Sequence, residues 1–177
     1  MPLLGLGLYK ATAEGEAESA IAAAVQNGYR LIDTASAYKN EENVGQGIAN
    51  CGIPRRDLFI TTKIWNNAQR LGDVEGAFQR SLDRLGLDYI DLYLIHWPVP
   101  GCYLSTWKTM EKFLESGKAL SIGVSNFEIR HLEELRKVSG VVPAVNQIEC
   151  HPLCYPKELI EYCQANDIQV QAYAPLA

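Results

Sequence analysis

Asp33, Tyr38, Lys63 and His96 stand at or just past the ends of three successive strand-like runs, RLIDTA, LFITTK and YIDLYLIH. A phenol beside a lysine that is itself paired with a carboxylate is a tunable proton donor. Free tyrosine, with a pKa near 10, is a poor acid at neutral pH, and a neighbouring ammonium is expected to stabilise its phenolate and lower that value. Lys63 is placed to do this for Tyr38, with Asp33 holding Lys63 charged and oriented. His96 is placed to hydrogen-bond a carbonyl oxygen and stabilise charge developing there. This set suits general acid catalysis at a carbonyl.

Each residue has a plainer reading. Asp33, followed by Thr34, could cap a short helix. Tyr38 could be a packing residue with a hydrogen-bonded hydroxyl, and His96 could be a satisfied core histidine. Lys63 is harder to dismiss, because a lysine in an apolar strand is seldom buried unpaired. Taken singly the plain readings win or tie; at three neighbouring strand ends together they lose.

Apolar, β-branched runs alternate with amphipathic stretches along the chain. The strand-like runs are 3–9, 30–35, 58–64, 89–97, 119–126, 143–149 and 168–175, and helices are predicted at about 13–27, 41–50, 73–85, 103–116, 128–138 and 156–166. Gly28, Gly86 and Gly117 supply helix stops, and Pro156 opens the last helix. Runs such as IDLYLI and IGV are nearly continuous in apolar character, as in a parallel sheet covered on both faces. The class is α/β built from repeated βα units.

An open doubly wound sheet would need G-x-G-x-x-G after its first strand. Gly5-Leu6-Gly7 and Gly45-Gln46-Gly47 do not supply it. A (β/α)8 barrel of the TIM type is therefore expected, whose strand C-termini converge on one catalytic face. Seven of its eight strands are recognised, in a single incomplete barrel domain over 1–177.

At 177 residues the length suits one domain, and a net charge of −5 gives no electrostatic case for nucleic acid or an anionic membrane. No apolar run approaches the roughly 20 residues that span a bilayer, and no signal segment precedes the first strand. Five scattered cysteines argue against a disulfide framework and for a reduced cytoplasmic setting. Cys150, His151 and Cys154 lack the further ligands of a structural zinc site, so no metal is expected and the segment is taken as scaffold. A lyase using Lys63 as a Schiff-base nucleophile is a competing reading, which the pairing with Asp33 opposes.

The ordered segments LLGLGLYK, DTASAYKNEENVG, TTKIW, DLYLIHWP, GVSNF, NQIECHP and AYAPL resemble the motif series of the aldo-keto reductase superfamily over essentially the whole chain. The resemblance implies a barrel that binds NADPH in extended form, NADH not being excluded. It also implies reduction of aldehydes, ketones, small dicarbonyls or keto-sugars. Tyr38 becomes the general acid, Lys63 and Asp33 its tuning pair, and His96 the residue that positions the carbonyl. By the same resemblance Ser125, Asn126 and Gln147 hold the nicotinamide carboxamide, and Tyr173 stacks on its ring. Gly7 and Leu8 pass beside the cofactor, and Leu176 lies in the following loop. A turn or helix N-cap is the plain alternative for Ser125-Asn126.

Trp65 and Trp97 are expected to wall the substrate pocket. Tyr9 stands where many relatives carry tryptophan. The short segment VPGCYLS after Pro98 resembles bacterial members acting on diketo-gluconate and small dicarbonyls. The resemblance also implies a floor hairpin, an eighth strand and a later lysine and arginine for the 2′-phosphate, none of which is found. A partial sequence is therefore expected, binding NADPH weakly and poorly active alone. The alternative is a silent barrel module for cofactor binding or interaction. Relatives are mostly monomers, although an open barrel edge could pair.

Overall fold

The computed structural model describes residues 1–176. Seven strands follow one another in both sequence and space: β1 (Gly5–Gly7), β2 (Leu31–Asp33), β3 (Phe59–Ile64), β4 (Leu92–Ile95), β5 (Ile122–Ser125), β6 (Val145–Glu149) and β7 (Gln169–Tyr173). Every neighbouring pair is parallel. Parallel neighbours need a crossover, and the helices supply it: α1 (Glu16–Gln26), α2 (Glu41–Asn50), α3 (Asn66–Leu71), α4 (Val74–Leu85), α5 (Tyr103–Glu115), α6 (Ile129–Val138) and α7 (Lys157–Ala165).

The sheet is coiled, and one hydrogen bond demonstrates it. β2 and β6 lie four places apart in strand order, which in a flat sheet means about 19 Å at roughly 4.8 Å per strand. Gln147 Nε2 on β6 nevertheless donates to Asp33 Oδ2 on β2 at 2.8 Å. Side chains of that length meet only across the inside of a barrel. β1 pairs only with β2 and β7 only with β6, so the expected seven-stranded, incompletely closed barrel is what the chain forms.

Alternation along the strands separates two apolar layers. Ile32, Ile60, Ile64, Tyr93, Ile95 and Val124 join the large core between sheet and helices, with Ile21, Phe78, Trp107 and Phe127. Leu92, Leu94 and Val145, with Phe59 against them, form a separate small cluster from the other phase of the same strands. Toward the strand C-termini this second phase carries Asp33, Lys63, His96, Ser125, Gln147 and Tyr173. Those strands read as continuous apolar runs because their outward phase and the floor of their inward phase are both apolar. The candidate site residues occupy inward positions toward the strand C-termini.

Helix boundaries agree with the pattern to within a few residues, but α3 and the 3-10 turns at Ser36–Tyr38 and Arg55–Asp57 were not foreseen. Asn66-Asn67-Ala68-Gln69-Arg70-Leu71 is too short and polar to show a helical period. Gly72, with φ 68°, terminates it and was the available signal. Gly28, Gly86 and Gly117 all have positive φ past helix ends, as expected. Among the described residues no helix is long and apolar enough to cross a membrane, and the five cysteines are free.

One glycine is required by packing rather than by φ. A Cβ on Gly45 of α2 would lie 2.5 Å from the Leu85 carbonyl oxygen at the end of α4. Gly45→Ala is expected to destabilise the chain by about 1–3 kcal/mol. Thermal melts should show a fall of about 2–4 °C for each kcal/mol. Gly140→Ala, where a Cβ meets nothing within 4 Å, should leave the midpoint near its parent value.

Candidate active site

Lys63 is fully buried, and its ammonium is surrounded by acceptors. It pairs with Asp33 Oδ1, donates to the Thr34 carbonyl at 2.8 Å and reaches Tyr38 Oη at 3.4 Å. The strand register makes this possible: Asp33 pairs with Thr61, two residues before Lys63 on the same face. The 3-10 turn after β2 then carries Tyr38 back over the lysine, anchored where Ser36 Oγ donates to the Lys63 carbonyl at 2.9 Å. Asp33 is no helix cap, since Ala35 occupies that place in the turn. Asp33, the Thr34 carbonyl and the Tyr38 hydroxyl thus face the Lys63 ammonium from three sides.

The electrostatics of Tyr38 differ from expectation. Its hydroxyl pKa is pushed up rather than down, first by burial, then by the Asp33 carboxylate and by Tyr9. The positive charge of Lys63 is largely answered by Asp33, and its contact with the phenol is long. Burial also pushes the Lys63 ammonium down from the ordinary lysine value, against the pull of Asp33. With its pKa raised, Tyr38 is a protonated phenol at neutral pH, not one poised near neutrality.

His96 closes the pocket from β4. Its ring meets Tyr38 edge-on at 5.7 Å and Trp65 at 5.0 Å between centroids. Nδ1 is buried and has no partner among the described residues, so the plain reading of a satisfied core histidine fails. Burial, then the nearby Lys63 charge, lowers its pKa to about 3. Its neutral ring can direct an N–H at a carbonyl oxygen. Tyr9 packs against Tyr38 with centroids 5.1 Å apart. Tyr9, Trp65 and Trp97 all retain large exposed apolar area at this rim.

Ser125, Asn126, Gln147 and Tyr173 come together beside the tetrad. Ser125 Oγ donates to the Gln147 carbonyl at 2.8 Å. Asn126 Nδ2 donates to the His96 carbonyl at 3.0 Å and to Ser125 Oγ at 3.1 Å, while Tyr173 Oη donates to Asn126 Oδ1 at 2.9 Å. Asn126 sits at φ 61°, a left-handed conformation that asparagine tolerates better than most residues. The N-cap of α6 is Glu128, in a capping box with His131, so Ser125 and Asn126 are not its cap. Gln147 Nε2 donates to Asp33 and Gln171, and Oε1 receives no hydrogen bond from a described residue, which leaves it an acceptor for a planar amide.

The remaining positions divide. Gly7 has open space where a Cβ would stand, as a passing ligand requires. Leu8 is buried, with its backbone N–H on the Asp33 carbonyl at 3.0 Å. Leu176 is almost fully exposed. His151 serves its own loop: Nδ1 accepts from the Leu153 N–H at 3.2 Å and Nε2 meets Glu149 at 3.0 Å.

Four supporting residues escaped the sequence reading. Asn40 ties the loop after β1 to the site, donating to the Leu8 and Ala11 carbonyls and accepting from Thr34 Oγ1. Buried Glu41 accepts from Thr62 Oγ1 at 2.6 Å and pairs with Arg84 behind the Lys63 strand. Gln69 on α3 holds the Trp97 carbonyl at 3.1 Å. Gln171 accepts from Gln147 Nε2 at 3.0 Å. Polar side chains at otherwise apolar strand or helix positions were the only available signal.

The strand ends of this parallel βα barrel thus carry a buried carboxylate–lysine–tyrosine set with a histidine against it. Comparison with known sequences agrees: the Aldo/keto reductase family model matches residues 3–177, and the chain belongs to that family. It is 51% identical over 176 residues to "Glyoxal reductase" of Bacillus subtilis, covering 99% of this chain and 64% of the relative. It is 48% identical to "Methylglyoxal reductase DkgA" of Salmonella typhimurium, covering 100% of this chain and 64% of the relative. A solved Bombyx mori aldo-keto reductase in complex with NADP superposes with a TM-score of 0.90 at 41% identity, covering 98% of this chain and 62% of that one. The chain thus spans somewhat under two thirds of the length of these relatives.

His96 links stability to pH. Its folded pKa of about 3 lies below the ordinary 6.5, so between those values the unfolded chain binds more protons. Stability should therefore fall as pH drops from about 6.5 toward 3, by up to roughly 5 kcal/mol from this group. Denaturant melts across that range should show the slope, and His96→Gln should flatten it relative to the parent.

Proposed function

We propose that this chain is the catalytic portion of an NADPH-dependent reductase that converts small aldehydes and dicarbonyls to alcohols. The observation that carries the reading is the continuous path from Asp33 through Lys63 to Tyr38, with the His96 ring edge-on against that tyrosine. Bound NADPH would supply a hydride from its dihydronicotinamide ring to the carbonyl carbon. His96 holds the carbonyl oxygen with its N–H, and Tyr38 Oη delivers the proton to that oxygen as negative charge grows there.

A raised tyrosine pKa does not obstruct this step. It keeps the phenol protonated at neutral pH, and the oxygen it serves is becoming an alkoxide, a stronger base than phenolate. Lys63 then faces the phenolate as its counter-charge until Tyr38 regains a proton from solvent. Ser125, Asn126 and Gln147 would hold the carboxamide of the cofactor, and Tyr173, fixed by its bond to Asn126, would stack on the ring. Gly7 and Leu8 pass beside the cofactor, and Leu176 lies in the loop after β7. NADPH rather than NADH is favoured by the NADP-bound relative, and small dicarbonyls by the two relatives named for glyoxal and methylglyoxal. Tyr9, Trp65 and Trp97 wall a mouth suited to a compact, flat substrate.

NADPH oxidation by the purified chain with methylglyoxal, followed by absorbance, tests the reading. Tyr38→Phe, which removes only the hydroxyl, should lower kcat by about 10²–10⁴-fold, the usual contribution of a general acid. Full activity in that variant would remove Tyr38 from the chemistry. Binding of NADPH without any turnover would instead favour a non-catalytic barrel module.

A further inference from the structure

Gln171 on β7 has no part in the proposed chemistry, yet it completes a line of side chains across the barrel. Gln147 Nε2 donates one proton to Asp33 Oδ2 at 2.8 Å and the other to Gln171 Oε1 at 3.0 Å. Asp33 turns its other oxygen to Lys63. A carboxylate only accepts hydrogen bonds, so Asp33 fixes which end of the Gln147 amide faces it. The nitrogen must point at Asp33, and Oε1 must point away. Asp33 alone leaves the second N–H free to seek a ligand oxygen. Gln171 occupies it.

We propose that Gln171 is a positioning residue that, together with Asp33, makes Gln147 a pure acceptor toward the cofactor and so selects a carboxamide over the corresponding carboxylic acid. This rests on the cofactor reading above. A primary carboxamide brings N–H groups that Oε1 can accept. A carboxylate in the same place brings only oxygens, which face Oε1 with no proton between them. Its cost follows from the expense of leaving a buried acceptor unsatisfied.

The test is displacement of fluorescent NADPH from the purified chain by NADP+ and, separately, by its acid counterpart, nicotinic acid adenine dinucleotide phosphate. The parent should prefer the carboxamide form. Gln171→Met keeps the side-chain length but removes the acceptor, which releases one Gln147 N–H toward the ligand. The preference should fall about tenfold, equivalent to about 1.4 kcal/mol. Gln171→Glu restores an acceptor and should restore the preference, which a merely structural role for residue 171 would not. An unchanged preference, within twofold, in Gln171→Met overturns the proposal.

A second measurement needs no ligand. In side-chain amide NMR spectra, one Gln147 proton should lose its hydrogen-bonded shift in Gln171→Met while the proton on Asp33 keeps its own. If neither moves, the clamp does not exist and the proposal falls. A parent chain that binds neither dinucleotide but shows the NMR change would overturn the cofactor reading while leaving the clamp established.

Discussion

The site depends on one buried charge. An ammonium removed from water is tolerated only where partners replace its hydration, and Lys63 receives Asp33, the Thr34 carbonyl and the Tyr38 hydroxyl. Those partners come from the end of β2 and the turn that follows, so that β2, β3 and the turn are set relative to one another by the need to satisfy a single side chain. Gln147 and Gln171 extend the constraint across the barrel to β6 and β7 through the second oxygen of Asp33. Breaking the pair would leave an uncompensated charge in the centre of the sheet, and so the residues that hold the chemistry also hold the strand ends.

The backbone supports this from outside. Asn40 pins the loop after β1 to Thr34, and Glu41, the next residue, reaches Thr62 and Arg84 on the far side of β3. Two consecutive residues at the N-terminus of α2 thus brace the helix-facing side of the sheet behind Lys63. On the other flank Asn126 and Gln69 hold the consecutive carbonyls of His96 and Trp97. The histidine is therefore fixed by its backbone and by the aromatic rings around it, and its own Nδ1 stays unengaged.

Much of this was legible in the amino-acid sequence. Alternating runs fixed the βα order, and the strand-end positions of Asp33, Lys63 and His96 were visible because a charged or polar residue closing an apolar strand is conspicuous. What could not be read depends on distance through space. The relay between Lys63 and Tyr38 suggested a lowered tyrosine pKa, whereas burial and the Asp33 charge raise it. The balance between a helpful ammonium and a competing carboxylate turns on ångströms that spacing does not encode. Gln171 was unremarkable as one polar residue in an edge strand, because its partner lies on β6 and that partner's other bond crosses to β2. Helix α3 was hidden by its brevity.

The two apolar layers differ greatly in size, with the large one between sheet and helices and a small cluster of Leu92, Leu94, Val145 and Phe59 beneath the site. Cohesion is therefore concentrated on the outer phase of each strand, and reactivity on the inner phase. A lineage could exchange the exposed rim residues, altering what enters, without touching either the side chains that keep helices on the sheet or the charges that hold the strand ends. The fold can in this way vary its selectivity as a nearly independent trait.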